Sequence, residues 1–166
     1  RSTSDSLLYG GILYALPAGT EIRRVREGQL SPNGIGLSPV GNWLYWADSY
    51  TGRLWRCLIT GPGRLSDQTL PLPGHVVATL PGYQLLDSLA VEDNGSICVA
   101  TMVNGGITVF DGTEGVLDHV KINDGHVTNL CFSGEDRQTV WITAAATGRI
   151  LKGRWPRPGL ALNFNP

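Results

Sequence analysis

PNGIGLSPVGNWLYWADSYTGRLWRC, Pro32 to Cys57, holds three short apolar runs separated by two turns. Ile35 and Leu37 alternate with glycine, a polar turn follows at Gly41-Asn42, and LYWAD is almost continuously apolar. A second turn at Thr51-Gly52 leads into RLWRC. Alternation with period two and Gly-containing turns are the marks of strands joined by hairpins.

The same order of features recurs twice. LDSLAVEDNGSICVATMVNGGITVFD runs from Leu86 to Asp111, and VTNLCFSGEDRQTVWITAAATGRILK from Val127 to Lys152. Leu89/Val91 and Leu130/Phe132 repeat the opening alternation. Asn94-Gly95 and Glu135-Asp136 repeat the polar turn, ICVAT and VWIT the apolar run, and Gly105-Gly106 and Thr147-Gly148 the second turn. Nearly continuous apolar strands predict sheets covered on both faces. Repeated antiparallel meanders stacked face to face predict an all-β fold, a β-propeller, with a β-sandwich as the competing architecture. Upstream, YGGILYALPAGTEIRRV reads as the outer strands of an earlier blade.

Composition agrees. The chain has 166 residues with 22 Gly and 10 Pro, and its longest stretch free of both is Glu135 to Thr147. That excludes a long-helix bundle, a coiled coil and a transmembrane helix. Basic and acidic residues nearly cancel, 13 against 14, and no basic stripe exists, so neither nucleic acid nor a membrane is an expected partner. Cys57, Cys98 and Cys131 form no disulfide framework and no CxxC motif. Cys98 and Cys131 lie in apolar runs and are expected to be buried thiols, which suits a cytoplasmic protein. RSTSDSLLYGG lacks the apolar region of a signal peptide, and the missing initiator Met hints at part of a longer protein.

Repeat register singles out one position. Aligning Ile35, Leu89 and Leu130 makes Asn33, Asp87 and Thr128 equivalent, each expected just before its repeat's first strand. Inner strands line a propeller's channel, so these residues should converge near the axis. The Asn33 carbonyl and Asp87 carboxylate are hard donors suited to Ca²⁺, Mg²⁺ or Mn²⁺. For Asn33 the structural alternative is a tight Asn-Gly turn with left-handed Asn. For Asp87 it is a strand-entry carboxylate accepting backbone hydrogen bonds. Thr128 and Asn129 fit channel-lining or water-holding roles and strand-end hydrogen bonds equally well.

Other polar residues have plainer readings. His75, His119 and His126 lack metal spacing and read as surface histidines. No GxSxG motif surrounds a serine. Asp48, Asp93, Asp111 and Asp136 fall at turns or strand ends. Trp43, Trp46, Trp55, Trp141 and Trp155 suit packing between blades. Gly61-Pro62-Gly63 and Pro71 to Gly74 form the longest connection, a candidate lid or surface loop.

PNGIGLSP, LYWADSYTGRLW, PGYQLLDSLAVEDNGSICVAT, GGITVFD, VTNLCFSG and WPRPGLALNFNP, in this order, resemble the SMP-30/gluconolactonase/LRE-like (regucalcin-like) family. The resemblance implies a six-bladed propeller, of which residues 1–166 would be the C-terminal half: three blades and part of a preceding one, with the N-terminal blades absent. It implies a divalent cation (Ca²⁺, Zn²⁺, Mg²⁺ or Mn²⁺) in the channel and hydrolysis of a sugar or related lactone. The metal would polarise the carbonyl and activate water. Asn33 and Asp87 carry over as metal ligands, with Asp87 also the general base; a further Glu ligand belongs to an absent blade. Val40 and Ser88 depart from the family's usual turn residues without removing a donor. The other expected partner is the missing N-terminal half, or a second copy forming a homodimer of half-rings. The alternative function is a non-enzymatic propeller module that binds metal or protein.

Overall fold

The computed structural model describes residues 10–15, 21–67, 72–113 and 115–163. Its described elements are all strands: β1 Gly10–Ala15, β2 Ile22–Gln29, β3 Pro32–Leu37, β4 Trp43–Asp48, β5 Arg53–Gly61, β6 Arg64–Leu65, β7 His75–Thr79, β8 Leu85–Val91, β9 Ile97–Met102, β10 Gly106–Phe110, β11 Val116–Lys121, β12 Val127–Ser133, β13 Thr139–Ala144 and β14 Arg149–Arg154. Among the described residues no helix is long and apolar enough to cross a membrane.

Each repeat is one antiparallel meander. β3-β4-β5-β7, β8-β9-β10-β11 and β12-β13-β14 form separate sheets, preceded by the β1-β2 hairpin. β6 pairs with the far end of β5 around Gly63. Thus Gly61 to Gly63 form a hairpin tip rather than a lid; Pro71 lies outside the described residues. The second turn of each repeat carries a left-handed glycine, Gly52 at φ 59°, Gly105 at 74° and Gly148 at 62°, the conformation glycine adopts without steric cost.

Period two then builds the stack. In β4, Leu44 and Trp46 face the hairpin, joining Ile12, Trp55 and Cys57, while Tyr45 and Ala47 face forward to Leu86, Ile97, Val99 and Phe110. In β9, Ile97 and Val99 face back, and Cys98 and Ala100 forward to Leu130, Phe132, Val140, Ile142 and Trp155. β9 and β10 are therefore buried almost throughout, as two covered faces require. The sandwich is ruled out, because three successive interfaces stack in one direction. The first strands β3, β8 and β12 lie side by side, each at an edge of its own sheet, as the inner strands of a propeller do.

The last sheet differs. β13 alternates, and its outward face shows Cys131, Trp141 and Ile150 around a hollow of about 370 Å³. Cys131 is exposed, not buried as its apolar flanks predict, because among the described residues no further sheet packs on the outer face of β12. Trp141 likewise stands on the open face rather than between blades. The isolated chain should self-associate through this face; Trp141→Glu should shift it toward monomer in light scattering, and unchanged association would place the contact elsewhere.

Candidate metal and catalytic site

Asn33, Asp87 and Thr128 lie inside their first strands, not before them, and each sits at a break in strand register. β3 pairs with β4 at Pro32 and resumes at Ile35; β8 pairs with β9 at Leu86 and resumes at Leu89; β12 pairs with β13 at Val127 and resumes at Asn129. A bulge at the same place in three sheets re-aims the same side chain. The left-handed Asn-Gly turn does not occur: among described non-glycine residues only Val103 and Arg137 have positive φ. Gly34 serves close approach instead. A Cβ there would lie 2.5 Å from the Leu89 nitrogen and 2.6 Å from the Asp87 carbonyl oxygen.

That approach brings Asn33 and Asp87 together, and the Asn33 amide donates to the Asp87 carboxylate. It also donates to Ser49 Oγ, 3.3 Å away, while Ser49 Oγ donates to the Leu86 carbonyl at 2.6 Å. Burial, the largest influence, raises the Asp87 pKa above the usual carboxylate value; the Ser88 amide, Asn33 and the Ser88 hydroxyl oppose it. No basic side chain is among these influences. A half-buried carboxylate compensated only by neutral donors suits a hard cation, and the carbonyl of the neighbouring Asn33 amide is a candidate second oxygen donor. The two fit by type and fall short by number, since Ca²⁺ takes six to eight oxygens. Among the described residues no group of three His, Cys, Asp or Glu could hold a metal.

Thr128 Oγ1 shares a hydrogen bond with Thr143 Oγ1 at 2.9 Å, and Asn129 Oδ1 accepts from the Leu130 amide at 2.8 Å. The first bridges β12 and β13, and the second is local to β12. One step along the strands, Ile35, Leu37, Leu89, Leu130, Phe132 and Leu160 line a trough of about 540 Å³. Its mostly apolar walls make a space for a partly apolar small molecule; Asn33 and Asp87 precede the lining residues Ile35 and Leu89 by two positions and are not themselves part of the lining.

The remaining polar residues are structural. Asp48 accepts from Ser31 Oγ at 2.5 Å, Asp111 from the Thr113 amide at 2.7 Å, and Asp136 from the Gln138 amide at 3.0 Å and Arg154 at 2.5 Å. Asp93 pairs with Arg137. His75 and His126 are exposed, whereas His119 is half-buried and bonded to Thr108 and Asn104. Two residues that neither repeat register nor motif spacing singles out carry long-range hydrogen bonds: Ser49, beside Asn33 and Leu86, and Glu92, wholly buried under the chain's last described segment. Ser49 had one available signal, being the only hydroxyl at its place in the three repeats.

The sequence model of the SMP-30/gluconolactonase/LRE-like region matches residues 1–146, and the chain belongs to that family. An uncharacterized protein of Sulfolobus acidocaldarius is 25% identical over 138 residues, covering 81% of this chain and 48% of its own. The calcium-binding protein regucalcin of Agrobacterium tumefaciens superposes with a TM-score of 0.70 at 19% identity, over 92% of this chain and 56% of that one. A gluconolactonase of Xanthomonas campestris does so with 0.66 at 23%, over 81% and 41%. The fold is that of these propellers, and the chain spans about half the length of the relatives it matches.

Proposed function

We propose that the chain forms the C-terminal half of a propeller that hydrolyses a sugar or related lactone with the help of a divalent cation. The observation that carries this reading is the meeting of Asn33 and Asp87 at equivalent bulges, against a carboxylate with no basic partner among its influences. The kinship with a gluconolactonase and a calcium-binding regucalcin supports it.

Asn33 and Asp87 would hold the cation, which when bound supplies Lewis-acid polarisation of the lactone carbonyl. Asp87 would take the proton of the attacking water; its desolvated setting makes it a stronger base than a free carboxylate, while a cation beside it pulls the other way. Asn33 would orient, since a neutral amide moves no proton. The apolar trough would receive the less polar part of the substrate. Further donors and substrate contacts belong to N-terminal blades of the same ring.

A second copy is a poorer completion than those blades. Among the described residues the hairpin supplies two strands and the last sheet three, so joining them across copies crowds five strands where the sheets of the two middle repeats hold four inner-to-outer places. A cytoplasmic location goes with this reading and is supported by the three free cysteines.

The test uses the chain completed with the N-terminal blades of a relative. Proton release from gluconolactone and related lactones should be stimulated by Ca²⁺, Zn²⁺, Mg²⁺ or Mn²⁺ and suppressed by chelator. Asp87→Ala should abolish turnover with the ring still folded. Metal-independent or absent turnover in the folded ring would favour the non-enzymatic metal- or protein-binding module.

A further inference from the structure

We propose that Ser49 is a positioning residue that fixes the orientation of the Asn33 amide and ties it to the strand carrying Asp87; its bearing on metal affinity rests on the site reading above. Three observations carry this. Ser49 is 7% exposed, so its hydroxyl has little water to turn to. Its single proton is committed to the Leu86 carbonyl at 2.6 Å, which leaves the oxygen able only to accept. What it accepts is an N–H of Asn33 at 3.3 Å.

An amide held by its nitrogen presents its oxygen on the opposite side. Ser49 shares with the Asp87 carboxylate the holding of the Asn33 nitrogen, and so helps decide which end of Asn33 can act as a ligand. Leu86 directly precedes Asp87, so one hydroxyl joins the two donor-bearing strands beside both donors. The backbone around Ser49 does not require a hydroxyl: the residue following the second strand is Ser49, Val103 and Ala145 in the three sheets. Ser49 and Ala145 make the same amide bond, to the Ser31 carbonyl at 2.9 Å and the His126 carbonyl at 2.8 Å. The hydroxyl occurs only in the repeat that carries Asn at the register position of Asn33, where the other two carry Asp87 and Thr128. Such outer-sphere hydrogen bonds are worth roughly 10–100-fold in metal affinity.

The experiment uses the 166-residue chain with two readouts. Without metal, the side-chain NH₂ resonances of Asn33 in ¹⁵N spectra should be well separated in the unaltered protein and in Ser49→Thr. In Ser49→Ala they should shift and draw closer together, because only the bond to Asp87 is left to hold the amide. With Mn²⁺ as probe, followed by paramagnetic resonance, Ser49→Ala should weaken binding about tenfold or more while Ser49→Thr restores it. Ser49→Cys, nearly the same size with a weak thiol donor, should fall between them and replaces Ser49→Ala if that variant unfolds. Unchanged Asn33 resonances in the folded variants would overturn the proposal, as would equal Mn²⁺ affinity in all of them. Altered resonances in a chain that binds no Mn²⁺ would uphold the positioning of Asn33 and refute the metal site.

Discussion

Glu92→Ala is expected to cost about 3 kcal/mol or more of folding stability, the range for breaking a buried ion pair from one side. Glu92 is fully buried yet wholly engaged: Arg157 Nη2 donates to it at 2.9 Å, Trp155 Nε1 at 2.7 Å and the Cys98 thiol at 3.1 Å, with Arg157 Nε on its second oxygen. Those donors come from β9 and from the segment that follows β14. Around them the Leu160 amide bonds the Val91 carbonyl, the Asp93 amide that of Pro158, and the Gly159 amide that of Arg137. Glu92 is thus the centre of a seam holding the last sheet to the one before. Alanine leaves the Arg157 charge and the Trp155 N–H without their acceptor. Arg157 is 37% exposed and partly screened by water, which places the loss at the lower end of the range.

The same group gives a pH signature. Burial pushes the Glu92 pKa up, but the bonds from Arg157, Trp155 and Cys98 and the Arg157 charge outweigh it and hold the pKa below the usual carboxylate value. A pKa lower in the folded state than in the unfolded one adds stability above the unfolded value, about 4.3. That contribution is lost as pH falls through the folded value. Chemical denaturation between pH 7 and pH 3 should therefore show a steeper acid loss in the unaltered chain than in Glu92→Gln, which carries no titrating group there. Equal slopes would remove Glu92 from the acid response.

The fold was legible because each repeat carries the same turns at the same offsets, and because β9 and β10 are apolar on both faces. VWIT was misleading in one respect. Its composition is that of a doubly covered strand, yet Trp141 and the neighbouring Cys131 face outward, since burial depends on a neighbour that local sequence cannot supply. The geometry of the candidate site was half legible. Register picked out Asn33 and Asp87, but not that they sit within strands, because a bulge shows only in the pairing of one strand with another. Ser49 and Glu92 were hidden for a related reason. Their partners lie 16 and 37 residues away for Ser49, and 63 and 65 for the Trp155 and Arg157 bonds of Glu92, and hydrogen bonds at such separations leave no local pattern.

Gly34→Ala should remove Mn²⁺ binding and destabilise the chain by roughly 1–3 kcal/mol, the range for overpacking. The added carbon would stand 2.5 Å from the Leu89 nitrogen, 2.6 Å from the Asp87 carbonyl oxygen and 2.8 Å from the Ser88 carbonyl carbon. All three are backbone atoms of β8, so no rotamer change relieves the clash and the two inner strands must separate. Gly34 has no left-handed φ, which leaves contact rather than backbone strain as the cause. Gly36 is the internal control on the same strand. Its added carbon meets Leu89 Cδ1 at 2.6 Å and Val91 Cγ2 at 3.1 Å, side-chain ends that can turn aside. Gly36→Ala should therefore cost less and leave Mn²⁺ affinity within about threefold, a difference of roughly 0.6 kcal/mol. Denaturant titration and Mn²⁺ binding on the two variants separate the cases. If Gly34→Ala bound Mn²⁺ like the unaltered chain, the close approach of β3 and β8 would have no part in making the site.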